Sequence, residues 1–270
     1  MLRLITLILI TSFAFKSNLS SEIVFVDDSY LPHSVLVDLR KPVSNYKKLT
    51  SNSIHFDVSS LDDPKSKHSS ILYPVEQLFK ILSLAGFNSM QKFLLVGSST
   101  SGWGEEGRLY WVLSQFFEVD VKILDGGYRS LKNLYIDDNK IESQKIRRTA
   151  LRLKETVENH SVNLSELYKI NSPILDVRGV LEFSGATPFG SKYGGHIKGA
   201  KSVPWDQFFD GEGYLRERPL FMESLRDKNP VVYCTAGYRS AMVWAVLRHY
   251  DINSKNYDGS WFEYSSQKNE

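Results

Sequence analysis

One cysteine, Cys234, stands in a chain of 270 residues. No internal disulfide can form, so the fold rests on packing, and the thiol is free for chemistry or for an intermolecular bond. The 6 histidines are scattered and show no metal-ligand spacing, so neither a metal nor a cofactor is expected. Charge of one sign is also scarce. The formal net charge is +2 with no long basic stripe, which argues against nucleic acid as a partner. No interior apolar run approaches the roughly 20 residues of a membrane helix, and no stable membrane insertion is expected. What is present is ordinary globular material, 42% hydrophobic and 24% charged. The length suggests two domains at roughly 100–200 residues each.

The N-terminus departs from this average. Arg3 is followed by Leu4 to Phe15, apolar apart from Thr6, Thr11 and Ser12. That is short for a span and fits the apolar core of a signal peptide over residues 1–20. Cleavage after either Ala14 or Ser20 is compatible with the pattern. An exported protein, periplasmic or secreted, is the expectation, and a monomer.

The rest of the chain reads twice. Val35-Leu-Val-Asp38-Leu-Arg40 resembles Ile174-Leu-Asp176-Val-Arg178, at an offset of 176 − 38 = 138. Phe93 to Val96 resembles the run into Val231-Val232-Tyr233, which sets Gly97 against Cys234 at an offset of 137. Asp125 and Trp111 find counterparts in Asp258 and Trp244 at an offset of 133. The first half therefore carries four extra residues after Gly97, within Ser98 to Gly107, and has no thiol. The second half carries its own extra stretch, Gly185 to Gly195, glycine-rich and read as a loop. Short Val, Ile and Leu runs ending in Asp or Gly alternate with helix-period segments such as Val75 to Ala85, Leu109 to Phe117 and Ala241 to Leu247. Such alternation predicts α/β architecture, a mostly parallel sheet with helices on both faces in each half. The charge-rich stretch Asp137 to Glu158 is the natural linker. Its later part, Ala150-Leu-Arg-Leu153, is expected to open the second domain.

The chemistry is concentrated at Val231 to Ser240, where an apolar run ends at Cys234 and a loop with Gly237 and Arg239 leads into an apolar helix. A thiol of pKa about 8.5 is only slightly ionised at neutral pH. Three features favour its anion. The helix from Ser240 turns its positive end toward the sulfur. Gly237 permits a tight turn that aims successive N–H groups inward. Arg239 adds a positive charge.

These residues, together with Leu175-Asp-Val-Arg178, Gly195-His-Ile-Lys-Gly-Ala200, Val203-Pro-Trp205 and Asn256-Tyr-Asp-Gly-Ser-Trp261, resemble the two-domain rhodanese-like sulfurtransferases, which include thiosulfate and 3-mercaptopyruvate sulfurtransferases. The resemblance covers nearly all the chain after residue 20. It implies two tandem rhodanese-like domains: an inactive one over residues 21–140, a linker over 141–158 and a catalytic one over 159–270. It implies a persulfide on Cys234, loaded from a small anionic sulfur donor and discharged to a thiol or cyanide acceptor. Thr235, Ala236, Gly237, Tyr238, Arg239 and Ser240 would bind the donor and the persulfide, and Arg178 would help hold the anion. His196, Asp176 and Asp258 are expected to be structural, and Lys192 and Lys198 to be solvated. The first half departs from the family pattern, with Ser53-Ile-His-Phe56 where a Gly-His-Ile segment is usual. The loop Cys-Thr-Ala-Gly-Tyr-Arg-Ser leaves the donor open.

Two rivals stand beside this reading. A cysteine phosphatase or arsenate reductase of the same fold also uses cysteine and arginine around an anion nest. Its loop has five intervening residues, whereas Thr235 to Tyr238 are four. A non-catalytic sulfur-binding module would have no need of the intact thiol loop.

Overall fold

The computed structural model describes residues 24–41, 49–50, 52–68, 70–133, 146–147 and 149–267. The signal-peptide segment, and residues 141–145 and 148 of the linker, lie outside the described residues. Among those described, no helix is long and apolar enough to cross a membrane.

The first half forms strands β1 (Phe25–Val26), β2 (Ser34–Asp38), β3 (Ile54–His55), β4 (Lys92–Val96) and β5 (Asp120–Leu124). The second forms β6 (Ser161–Val162), β7 (Ile174–Asp176), β8 (Lys201–Ser202), β9 (Val231–Tyr233) and β10 (Lys255–Tyr257). Each set is a five-stranded sheet, in the orders β1-β5-β4-β2-β3 and β6-β10-β9-β7-β8. Counted within its half, each order is the same, 1-5-4-2-3. Every described strand pair is parallel. The matched positions Asp38 and Asp176 both end the second strand of their sheet, and Gly97 and Cys234 both follow the fourth.

Helices of the first half are α1 (Val75–Ala85), α2 (Glu105–Phe116) and α3 (Tyr128–Asn133); those of the second are α4 (Leu164–Leu167), α5 (Val180–Phe183), α6 (Tyr238–His249) and α7 (Ser260–Ser266). α1 matches its predicted span, and α2 and α6 begin a few residues earlier than the apolar pattern suggested. Both start at a glycine in the left-handed region, Gly104 at φ 87° and Gly237 at φ 83°, a conformation that costs other residues energy. Apolar periodicity cannot see a start set by such a turn.

Alternation along the strands builds three cores. Val35, Val37, Phe93 and Leu95 turn one way, Leu36, Leu94 and Val96 the other, against Leu131 of α3. In the second sheet Leu175 and Val232 share the first of these cores, while Val231, Tyr233 and Tyr257 pack with Trp261 of α7. One continuous core therefore lies between the two sheets, with α2 and α6 at its centre. The helices touch closely: a Cβ on Gly107 would sit 2.2 Å from Met242 Cα, so only glycine admits this crossing.

The later linker belongs to the first half, not the second. Glu118 N donates to Arg152 O at 3.0 Å, Lys154 N to Phe116 O at 3.0 Å, and Ser89 N to Ala150 O at 3.1 Å. Leu151 enters the shared core. The backbone at 150–154 answers the unpaired groups beyond the end of α2, a demand that composition does not reveal.

Candidate active site

β9 delivers Cys234 to the start of α6. The turn is pinned from behind: Cys234 N donates to Ser260 Oγ at 3.1 Å, and the amides of Trp261 and Phe262 donate to the carbonyls of Cys234 and Thr235 at 3.0 Å each. Gly237 has no room for a side chain, since a Cβ there would meet Arg108 Nη1 and Asp258 Oδ1 at 2.8 Å. Held this way, the turn aims donors at sulfur. Gly237 N donates to Cys234 Sγ at 3.1 Å and Ser240 Oγ lies 3.5 Å from it. Burial pushes the thiol pKa up. The Arg239 charge, the Ser240 hydroxyl and the amides of Ser240 and Ala236 more than offset this, so the thiol lies below its usual value. The sulfur thus accepts hydrogen bonds in a polar nest that favours its ionised form, and does not lie in hydrocarbon.

Cys234 is only 1% exposed, yet it lines a cavity of about 660 Å³ between the two halves. Thr235, Ala236, Tyr238 and Arg239 line it from the second half, and Arg40, His55, Asp62 and Trp103 are among the residues that do so from the first. Tyr238 reaches across it, its hydroxyl donating to Asp62 Oδ2 at 2.7 Å.

Arg239 is not the free charge the motif suggests. It is buried and held by Glu182 of α5, with Nη1 donating to Oε2 at 2.7 Å and Nη2 to Oε1 at 3.0 Å. Thr235 closes the group: its hydroxyl donates to Glu182 Oε1 at 2.6 Å and accepts from Arg239 Nη2 at 2.7 Å. Burial would raise the Glu182 pKa, but Arg239 and Thr235 bring it below the usual carboxylate value. Glu182 was missed in the sequence because it lies 57 residues from its partner. Its spacing in Gly179-Val-Leu-Glu182, four residues past Arg178, was the available signal.

Arg178 needs correction as an anion-binding residue. Its Nε donates to Asp176 Oδ1 at 2.9 Å and its Nη2 to Asp176 Oδ2 at 2.6 Å and to Gly195 O at 2.7 Å. It lies over the Trp261 ring at 4.6 Å, buried and outside the cavity lining. The first half repeats the device, with Arg40 held by Asp38 at 2.9 and 2.7 Å. His196 sits where a structural role puts it, with Nδ1 3.0 Å from Phe183 O and its ring stacked on Phe183. Lys192 and Lys198 are exposed. Asp258 does more than fix a turn, since Arg108 of α2 donates to it across the halves. No group of carboxylate, histidine and cysteine side chains among the described residues could hold a metal ion.

Known proteins share this architecture and sequence pattern. Residues 159–267 match the family model described as "Rhodanese-like domain". A protein of Mycolicibacterium smegmatis described as "Putative thiosulfate sulfurtransferase" is 28% identical over 256 residues, 87% of this chain and 90% of that one. A Saccharopolyspora erythraea protein of the same description is 28% identical over 206 residues, covering 69% of this chain and 72% of its own length. Among solved structures, the 3-mercaptopyruvate sulfurtransferase from Leishmania major superposes with a TM-score of 0.73 at 21% identity, over 91% of this chain and 75% of that one. Domain match, curated relatives and shared architecture point one way: residues 159–267 are a rhodanese-like domain, and the chain along most of its length is similar to the rhodanese-like sulfurtransferases.

Proposed function

We propose that Cys234 carries sulfane sulfur as a persulfide, taking it from thiosulfate or 3-mercaptopyruvate and passing it to a thiol or cyanide. The observation that carries this reading is the Cys234 sulfur accepting the Gly237 amide at 3.1 Å at the base of the cleft. With thiosulfate, the Cys234 thiolate attacks the outer sulfur, the S–S bond of the donor breaks, and sulfite leaves with the bonding pair. The terminal persulfide sulfur is then an anion, and the turn from Thr235 to Ser240 with Arg239 offers donors to it. An acceptor thiol attacks that outer sulfur, and the electron pair returns to Cys234. The relatives' descriptions support thiosulfate, and the structural neighbour supports mercaptopyruvate as the other donor to try.

Intact mass spectrometry after incubation with each donor tests the reading. Gain of one sulfur, lost on adding cyanide, is the expected result, and the faster donor is the better substrate. No gain with either donor overturns it. The exported location rests on Arg3 and the apolar stretch Leu4 to Phe15; N-terminal sequencing of the mature protein should begin near residue 15 or 21.

A further inference from the structure

The two stretches that break the internal repeat meet over the catalytic cleft. Trp103 comes from the first half's longer loop after Gly97, and Phe189 from the second half's extra stretch between Gly185 and Gly195. Their rings pack edge to face, with centroids 4.9 Å apart at 85°. Arg239 lies beneath both, its Cζ 5.7 Å from the Trp103 ring and 5.4 Å from that of Phe189. Both rings line the same cavity as Cys234.

Both loops are braced. Trp103 N donates to Glu105 Oε2 at 2.7 Å, and Gly104 lies against the Tyr238 carbonyl, which a Cβ would approach to 3.0 Å. The Gly185–Gly195 stretch is closed at its neck, where a Cβ on Gly194 would fall 2.0 Å from Gly185 O. Yet the rings stay open to solvent, Trp103 at 44% and Phe189 at 42%. An aromatic pair fixed in place, with nearly half its surface bare and lining the cavity that holds Cys234, is shaped for a ligand that covers it.

That ligand is not a small inorganic ion. Thiosulfate and cyanide are hydrated anions that gain little from apolar rings. The cavity of about 660 Å³ falls within the roughly 300–1,000 Å³ typical of pockets for organic molecules. We propose that Trp103 and Phe189 form an aromatic clamp that selects the sulfur acceptor, an organic thiol with a planar conjugated group beside its sulfur. This rests on the sulfur relay above. The acceptor RSH attacks the outer sulfur of the Cys234 persulfide, the persulfide S–S bond breaks, RSSH forms with the proton the thiol brought, and Cys234 departs as thiolate. The clamp holds the conjugated group so that the attacking sulfur is lined up with the persulfide.

Persulfide-loaded protein, mixed in single turnover with 4-mercaptobenzoate, 2-mercaptoethanol or cyanide, gives the test. Each acceptor is compared between wild type and the variants Trp103→Leu and Phe189→Ala, so intrinsic thiol reactivity cancels. Discharge by the aryl thiol is expected to fall about tenfold in each variant, the scale of one lost aromatic contact, against under about threefold for cyanide. Trp103→Phe keeps a ring and should recover most of the loss. Equal losses for all three acceptors, or none for the aryl thiol, overturn the clamp. If wild type takes up no sulfur, the relay fails instead, and the clamp is judged by calorimetric binding of the unreactive thioether 4-(methylthio)benzoate. Binding that Trp103→Leu weakens about tenfold supports it, and binding that is absent or unaltered sinks it.

Discussion

The charge at the Cys234 sulfur is a balance among three side chains. Arg239 favours the thiolate, Glu182 holds Arg239 at 2.7 Å and offsets part of its field, and Thr235 ties the two together. Replacing Cys234 with Ser should abolish sulfur transfer and leave the circular dichroism spectrum unchanged, because the packing around position 234 is kept. Arg239→Met should raise the thiol pKa, read as a shift of the iodoacetamide alkylation profile toward or above about 8.5. It should also lower unfolding free energy by about 3–5 kcal/mol, since Glu182 is left buried and unpaired. Adding Glu182→Gln should restore most of that stability but not the low thiol pKa, as urea unfolding and alkylation of the double variant would show. Cys234 and the Arg239 loop were legible because their chemistry lies in consecutive residues. Glu182 was not, because the pairing forms only when α5 packs against the loop. Arg178 misled because a lone arginine near a reactive centre suggests anion binding. Its neighbour Asp176 takes the guanidinium, as Asp38 takes that of Arg40 in the first half.

At the scale of elements, the half without a thiol differs from its partner at the start of α2. On the offset that aligns Trp111 with Trp244, 244 − 111 = 133, Glu106 corresponds to Arg239, since 239 − 106 = 133. An acid stands where the second half has a basic residue. Its carboxyl fills the place of the missing side chain: a Cβ on Gly97 would lie 2.0 Å from Glu106 Cδ. Ser99 N donates to Glu106 Oε1 at 2.9 Å, and Oε2 has no hydrogen-bond partner. Burial, only partly offset by the amide bonds, pushes the pKa of this carboxyl up to about 7. A carboxyl whose folded pKa exceeds its unfolded value of 4.5 contributes stability that is complete below that value. The contribution is lost as pH rises through about 7, and the full change is on the order of 3 kcal/mol. Glu106→Gln should therefore gain stability relative to wild type between pH 5 and pH 8, by chemical denaturation at both. A gap that does not change with pH would show that the carboxyl is not buried as described. The sequence showed that the first half lacks a thiol. It did not show what fills the space, because helix offset and strand offset differ by four residues just there.

The whole molecule is held as one by its central helix pair and by Arg108. This α2 side chain is fully buried, donating to Asp258 beside the catalytic turn, to Asp62 Oδ1 at 3.1 Å and to Ser70 O at 2.6 Å. Tyr238 joins the same network through Asp62. The cleft therefore exists only while the halves stay together, and the Cys234 turn leans on the first half. Alternation of strands and helices predicted two units, and each does have its own sheet. The shared core between them was not legible, because α6 is apolar all round and a helix pattern of that kind does not say which surface covers it. Two consequences are measurable. Unfolding in urea should be a single transition, with near-ultraviolet circular dichroism and protection of Cys234 from alkylation lost together. Arg108→Met should move that one midpoint down, by about 3–5 kcal/mol in stability, as two partly buried carboxylates lose their cation. It should also slow persulfide formation, because Gly237 rests on the guanidinium. Two separated transitions, or an Arg108→Met protein that loads sulfur at the wild-type rate, would mean that the halves are independent and that the first one is dispensable to the site.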